Sequence, residues 1–160
     1  MTAEATVRTP WEAYSEGVPM HLTYPDCAMV DMVEQSARET PDIAAYTFYT
    51  TKVTYKVFME QIQACARALA AMGIHPGDKV TICMPNTPQA VVMFYAINYM
   101  GGIANMVHPL SAQEEIAFYL KESGSVAALT LRQFYPKFQA IRSKLTINKL
   151  IITGIEDALH

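Results

Sequence analysis

The sequence predicts an α/β fold, a mostly parallel sheet with helices on both faces and a β-hairpin near the N-terminus. Three observations carry this expectation. From Lys56 onward, segments of helical period alternate with short β-branched runs, the pattern that right-handed crossovers between parallel strands require. Val80 to Gln113 contains 34 consecutive residues without Asp, Glu, Lys or Arg, as expected of strands and a helix buried on several sides. Breakers then divide that run: Pro85-Asn86-Thr87-Pro88, Gly101-Gly102 and His108-Pro109 cut it into strand-sized and helix-sized pieces. Ala90 to Val107, at 18 residues, reaches the length of a membrane span. Gly101-Gly102 would end such a helix midway, and Asn98 and Asn105 would sit in hydrocarbon without partners, so no transmembrane segment is expected.

The elements follow in order. Residues 1–26 read as an extended leader interrupted by Pro10, Pro19 and Pro25, with Trp11, Tyr14 and Tyr24 as aromatic anchors against a folded body. Residues 27–160 read as the folded unit. A first helix is expected with Asp26 as its cap and Met29, Met32, Val33, Ser36 and Ala37 on one face. It stops at Thr40-Pro41-Asp42, since a residue before proline is pushed out of the helical region. Ile43–Thr50 and Lys52–Tyr55 form the hairpin, with its turn near Thr50-Thr51. A long helix over Lys56–Met72 carries Phe58, Ile62, Cys65, Leu69 and Met72 as one apolar stripe, and Gly73 caps it.

Pro76-Gly77-Asp78 turns the chain into a strand over Lys79–Met84. Thr87-Pro88 opens the next helix, to about Met100, which is apolar on nearly every side and so belongs inside the protein. Ile103–Val107 is the following strand. Ser111-Ala112-Gln113-Glu114 reads as a capping box for a helix that turns Ile116, Tyr119 and Leu120 inward and ends at Ser123-Gly124. Ser125–Leu131, Gln133–Leu145 and Leu150–Thr153 complete the chain as strand, helix and strand.

Composition limits the function classes. Of 160 residues, 51% are hydrophobic and only 17% charged, against roughly 25% in an average soluble domain. A disordered chain is thereby excluded. Twelve basic and fifteen acidic residues give a net charge of −3, so there is no basic field for a phosphate backbone and no nucleic-acid partner is expected. Cys27, Cys65 and Cys83 form no CxxC pair, which argues against a zinc site or a disulfide framework and for a reducing, cytoplasmic setting. Met1 to Pro10, with Glu4 and Arg8, lacks the apolar stretch of a secretory signal.

Ligands of parallel α/β sheets bind beyond the carboxyl ends of the strands. Here those ends are Pro85-Asn86-Thr87, His108-Pro109 and Thr130-Leu131-Arg132, so Asn86, Thr87 and His108 are placed to line one crevice. Each also has a plainer reading, Thr87 as a helix cap and His108 as a hydrogen-bonded turn residue. Cys83 and His108 form a nucleophile–base pair only if neighbouring strands bring them together, and Cys83 lies inside its strand, where burial raises a thiol pKa. His21, His75 and His160 lack metal-ligand spacing. None of the seven glycines makes GxGxxG or GxxxxGK[ST], so no phosphate-cradling loop is present.

Several pieces taken together resemble a known family. They are Val53-Thr54-Tyr55, Ala66-Arg67-Ala68-Leu69, Gly73-Ile74, Pro76-Gly77-Asp78-Lys79-Val80, Met84-Pro85-Asn86-Thr87-Pro88, Tyr99-Met100-Gly101-Gly102, His108-Pro109-Leu110 and Glu114-Glu115-Ile116. In this order and spacing, over residues 27–153, they resemble the opening core of the adenylate-forming (AMP-binding) enzymes, the superfamily of acyl-CoA synthetases, peptide-synthetase adenylation domains and luciferase. The leader, and the helix ending Glu39-Thr40-Pro41-Asp42, are more similar to the fatty acyl-CoA synthetase branch. One departure is His108, where relatives often have asparagine.

The resemblance implies an incomplete N-terminal domain of the adenylate-forming fold. For the complete enzyme it implies ATP, magnesium and coenzyme A, a fatty or other carboxylic acid as substrate, and conversion of carboxylate to acyl-adenylate to thioester. The family's phosphate loop and catalytic lysines lie after the matched region. The resemblance therefore places no catalytic, cofactor-binding or metal residue on this chain, and implies the remainder of the same enzyme as its partner. Three readings compete: an N-terminal piece of an acyl-CoA synthetase, inactive alone; a self-standing interaction module derived from it; and an unrelated small Cys/His enzyme.

Overall fold

A computed structural model describes residues 10–13 and 16–159. Among these described residues, six strands and five helices follow one another in the expected order. β1 (Ala44–Phe48) and β2 (Thr51–Thr54) pair antiparallel as a hairpin. β3 (Lys79–Cys83), β4 (Ile103–Met106), β5 (Ala127–Leu131) and β6 (Lys149–Thr153) form a parallel sheet in the order β4-β3-β5-β6. The helices are α1 (Met29–Glu39), α2 (Tyr55–Ala71), α3 (Pro88–Tyr99), α4 (Gln113–Ser123) and α5 (Tyr135–Ala140).

Two apolar clusters flank the sheet. On one face, Val80, Ile82, Ala127, Leu129 and Leu131 pack with α1, α2, α3 and the hairpin. On the other, Cys83 and Ala128 pack with Ile116, Ala117 and Leu120 of α4 and with Phe138 and Ile141. Helices thus cover both faces. Each fully buried Leu or Ile in these clusters contributes about 2 kcal/mol. The stripe on α2 is as expected at Phe58, Ile62 and Leu69, which are buried, whereas Met72 emerges at the helix end.

Several expectations are corrected in detail. The leader's Tyr24 is 78% exposed and anchors nothing, Trp11 meets the ring of His21 edge-on, and Tyr14 lies outside the described residues. α1 starts two residues later than Asp26 would set it: Ala28 is the cap position, and its N–H donates to Asp31 Oδ2 at 2.8 Å. Its buried face is Val30 and Val33, leaving Met29 and Met32 in solvent. The hairpin turn is Tyr49-Thr50, with Tyr49 in the left-handed region at φ 51°, a conformation that the lack of Asn or Gly had concealed. α4 is likewise capped one residue later than expected, with the Ala112 N–H donating to Glu115 Oε2 at 3.0 Å, and Tyr119 points outward.

The helix expected over Gln133–Leu145 is in fact three short pieces, a 3-10 turn at Arg132–Phe134, α5, and a second 3-10 turn at Arg142–Lys144. Its two buried anchors are Phe138 within α5 and Ile141 at the C-cap of α5, while neither 3-10 turn buries a residue. A further 3-10 turn, Ile155–Ala158, follows β6.

Polar groups inside the sheet are matched to one another. The Thr81 hydroxyl lies 2.7 Å from that of Ser125, which lies 2.8 Å from that of Ser123. Asn105 Nδ2 donates to Thr81 Oγ1 at 2.9 Å and to Ser123 Oγ at 3.0 Å, tying β4 to β3 and to the end of α4. On the opposite face, the Val30 N–H donates to Asn98 Oδ1 at 2.9 Å and seats α1 on α3. Asn98 and Asn105 are therefore structural bridges, and among the described residues no helix is long and apolar enough to cross a membrane.

Candidate functional site

The crevice expected at the carboxyl ends of the strands exists between the β3 and β4 ends, with a volume of about 500 Å³. Met84, Pro85 and Asn86 form one wall, Met106 and His108–Leu110 the other, and Phe134 closes the side toward β5. Pro85 and Pro109 set both loops, because each removes a donor and fixes φ just where its strand ends. The loop after β4 is also held from a distance: Lys137 Nζ donates to the carbonyls of Pro109 at 2.9 Å and Ser111 at 2.8 Å. No local pattern discloses that anchor, since the lysine lies 28 and 26 residues further along the chain.

Of the residues expected in this crevice, Asn86 and His108 line it and Thr87 does not. Thr87 is buried and faces a separate aromatic groove bounded by Tyr46, Phe48 and Tyr95. It occupies the cap position of α3, with extended backbone and its carbonyl accepting from the Val91 N–H at 3.1 Å. Its hydroxyl makes no capping bond and has no partner. Arg132, at the β5 end, also turns away from the crevice and pairs with Glu156, whose carboxyl is held below its ordinary range by local hydrogen bonds and by that guanidinium.

His108 is exposed, and its Nδ1 accepts from the Leu110 N–H at 3.2 Å, which makes it the acceptor of a local turn. Cys83 is fully buried within the cluster beneath α4 and α5. Burial pushes its thiol up to about 11, with the Lys137 charge acting in the opposite, lesser direction. A thiol held protonated inside a core is no nucleophile at neutral pH. The Cys83–His108 pairing therefore has no chemical basis in this fold.

The crevice wall carries no Lys or Arg to meet a triphosphate. Among the described residues, no trio of His, Cys, Asp or Glu converges as a metal site. ATP and magnesium do not fit the groups that line this crevice. What the site offers is a shaped, nearly uncharged recess beside an open sheet edge.

Comparison with known proteins accounts for that combination. The family model described as "AMP-binding enzyme" matches residues 33–158. The long-chain-fatty-acid–CoA ligase of Bacillus subtilis (strain 168) is 28% identical over 151 residues, covering 94% of this chain but 27% of that protein. The ligase FadD13 of Mycobacterium tuberculosis is 32% identical over 115 residues, 71% of this chain and 23% of its own length. Among solved structures, the N-terminal domain of FACL13 from Mycobacterium tuberculosis superimposes with a TM-score of 0.76 at 28% identity, over 83% of this chain and 35% of that one. The chain thus spans about a quarter of the length of the curated relatives it matches. With the family model matching most of its length and the fold agreeing strand for strand with sequence expectation, the chain belongs to the AMP-binding enzyme family.

Proposed function

We propose that this chain provides the N-terminal part of a long-chain fatty acyl-CoA ligase, with residues 27–160 as a partial α/β subdomain and residues 1–26 as its leader. The observation that carries this reading is the superposition on a separately solved N-terminal ligase domain, in which most of this chain matches about a third of the other. In the complete enzyme, a fatty carboxylate attacks the α-phosphate of ATP and expels pyrophosphate. The thiol of coenzyme A then attacks the acyl carbon, forms the thioester and releases AMP. The role of this chain is architectural: it supplies one sheet and its helices, while the groups that meet phosphate, magnesium and the acyl-adenylate belong to the remainder. Three free cysteines agree with a cytoplasmic setting.

The test is ATP–pyrophosphate exchange by the purified chain in the presence of long-chain fatty acids, magnesium and ATP. No exchange above background is expected. Exchange that tracks the folded protein and disappears on substitution of Asn86 or His108 would overturn the reading, because it would place the chemistry in the crevice of this chain.

A further inference from the structure

Among the described residues, two buried side-chain polar atoms have no hydrogen-bond partner, Thr87 Oγ1 and Gln89 Oε1. They stand on either side of Pro88, at the start of α3, and belong to two recesses that share Tyr46 and Pro88 as a wall. Gln89 is tied at its other end, where Nε2 donates to the Gly154 carbonyl at 2.8 Å. The Thr87 side chain has no such tie. It is 4% exposed, and its hydroxyl leaves the cap unfilled, so the Gln89 and Ala90 N–H groups of the first turn lack partners as well. A hydroxyl shut away from water with nothing to bond costs stability, which is why such groups are rare in native folds.

The groove beside Thr87 holds about 340 Å³ and is framed by aromatic rings from three elements, Tyr46 and Phe48 of β1, Tyr55 and Phe58 of α2, and Tyr95 of α3. Phe58 meets Tyr46 and Tyr95 edge to face, with ring centroids 5.4 and 5.7 Å apart, so the frame is packed in place. No residue lining the groove is charged: Glu34 and Lys56, the chain neighbours of Val33 and Tyr55, and Lys52, opposite Thr47 in the hairpin, stand outside it. The N-terminus of a helix carries positive potential and open N–H groups, so this end of the groove favours an acceptor. With no cation to offset the loss of its hydration, a full negative charge is disfavoured there.

We propose that this groove binds a small, neutral aromatic molecule bearing a carbonyl group, its ring among the tyrosine and phenylalanine rings and its oxygen accepting from the Thr87 hydroxyl. Rotation about the Cα–Cβ bond of Thr87 presents the hydroxyl to the groove with the backbone in place. The volume is at the lower end of small-molecule sites, which suits a ligand of one or two rings. Apolar walls with one polar group to fix orientation are the usual composition of such a site. The unpartnered hydroxyl and the ring frame both lie inside this chain, so the site does not depend on surface that a longer protein would cover. It is independent of the reading given under Proposed function.

Titration of the chain with benzamide, followed through its backbone amide NMR signals, tests this. Saturable shifts centred on Thr87, Gln89 and Ala90 are expected. Thr87→Val removes a hydroxyl that bonds nothing in the free chain, so it should fold with undiminished thermal stability and bind benzamide about fivefold more weakly. Val91→Trp, at an exposed position on the groove wall, should fill the groove and abolish binding. Toluene, which has the ring without the carbonyl, and acetamide, which has the carbonyl without the ring, should each bind about tenfold more weakly than benzamide, or worse. A wild-type chain with no saturable shifts, or with shifts centred elsewhere, overturns the proposal. So does binding of benzamide that Thr87→Val or Val91→Trp leaves unchanged, or binding of toluene as tight as that of benzamide.

Discussion

Replacing Thr81 by valine keeps the shape of a fully buried side chain and removes one hydroxyl, and the surrounding hydrogen bonds predict what that should cost. Ser123 Oγ donates to the Leu120 carbonyl at 3.2 Å, which uses its only proton. Ser125 must then donate to Ser123, and Thr81 to Ser125, so the run of hydroxyls has one direction. Asn105 Nδ2 fills Thr81 from the other side and also reaches Ser123. In Thr81→Val two hydrogen bonds are lost and one Asn105 N–H loses its acceptor, but Asn105 is only half-buried on the outer strand, where water can accept that proton, so the expected loss is about 2 kcal/mol. In Ser125→Ala two hydrogen bonds are also lost, and here the Thr81 proton is stranded in a site with no access to water. That stranded donor adds about 1–2 kcal/mol, for a total of about 3–4 kcal/mol. Urea unfolding followed by far-ultraviolet circular dichroism measures both. The single tryptophan, Trp11, lies in the leader and reports poorly on the core. With unchanged urea dependence in both variants, Ser125→Ala should be the more damaging. Equal losses, or the reverse order, would refute the direction assigned to the hydroxyls.

Two further outcomes follow from the same packing. The thiols of Cys83 and Cys65 and the Tyr46 hydroxyl are all raised by burial, so the folded state holds protons that the unfolded chain releases. Stability should be full below pH 9 and fall as pH rises toward 11; Cys83→Ala should flatten that fall in urea titrations, and a thiol reagent should label Cys27 long before Cys83. Gly124 ends α4 in the left-handed region at φ 65° with open space around it, so Gly124→Ala should cost about 1 kcal/mol through backbone strain alone, and Gly124→Asn less, by the same unfolding assay.

Most of the architecture could be read from period and punctuation, because those are local consequences of burial. The stripe on α2, the all-round apolar α3 and the uniformly buried β5 follow directly from it. Caps were harder. With Glu114 and Glu115 adjacent, the box fits two registers one residue apart; in the fold Glu115 takes the Ala112 N–H, while Glu114 pairs with Lys144. The crevice was legible in part, since Asn86 and His108 stand at strand ends, but Thr87 was carried elsewhere by the first turn of α3. Lys137 could not be found in advance, because its contacts join residues that only the folded sheet brings together.

That lysine has a consequence for the order in which the chain acquires its shape. As the polypeptide leaves the ribosome, β3 and β4 emerge with His108–Ser111 well before α5 does. Until Lys137 arrives to take the carbonyls of Pro109 and Ser111, the wall of the crevice lacks its distant support. The recess is thus set late in synthesis, after the hairpin and the first three helices can already have packed. Nascent chains halted short of α5 should have much of the first apolar cluster and a crevice not yet formed.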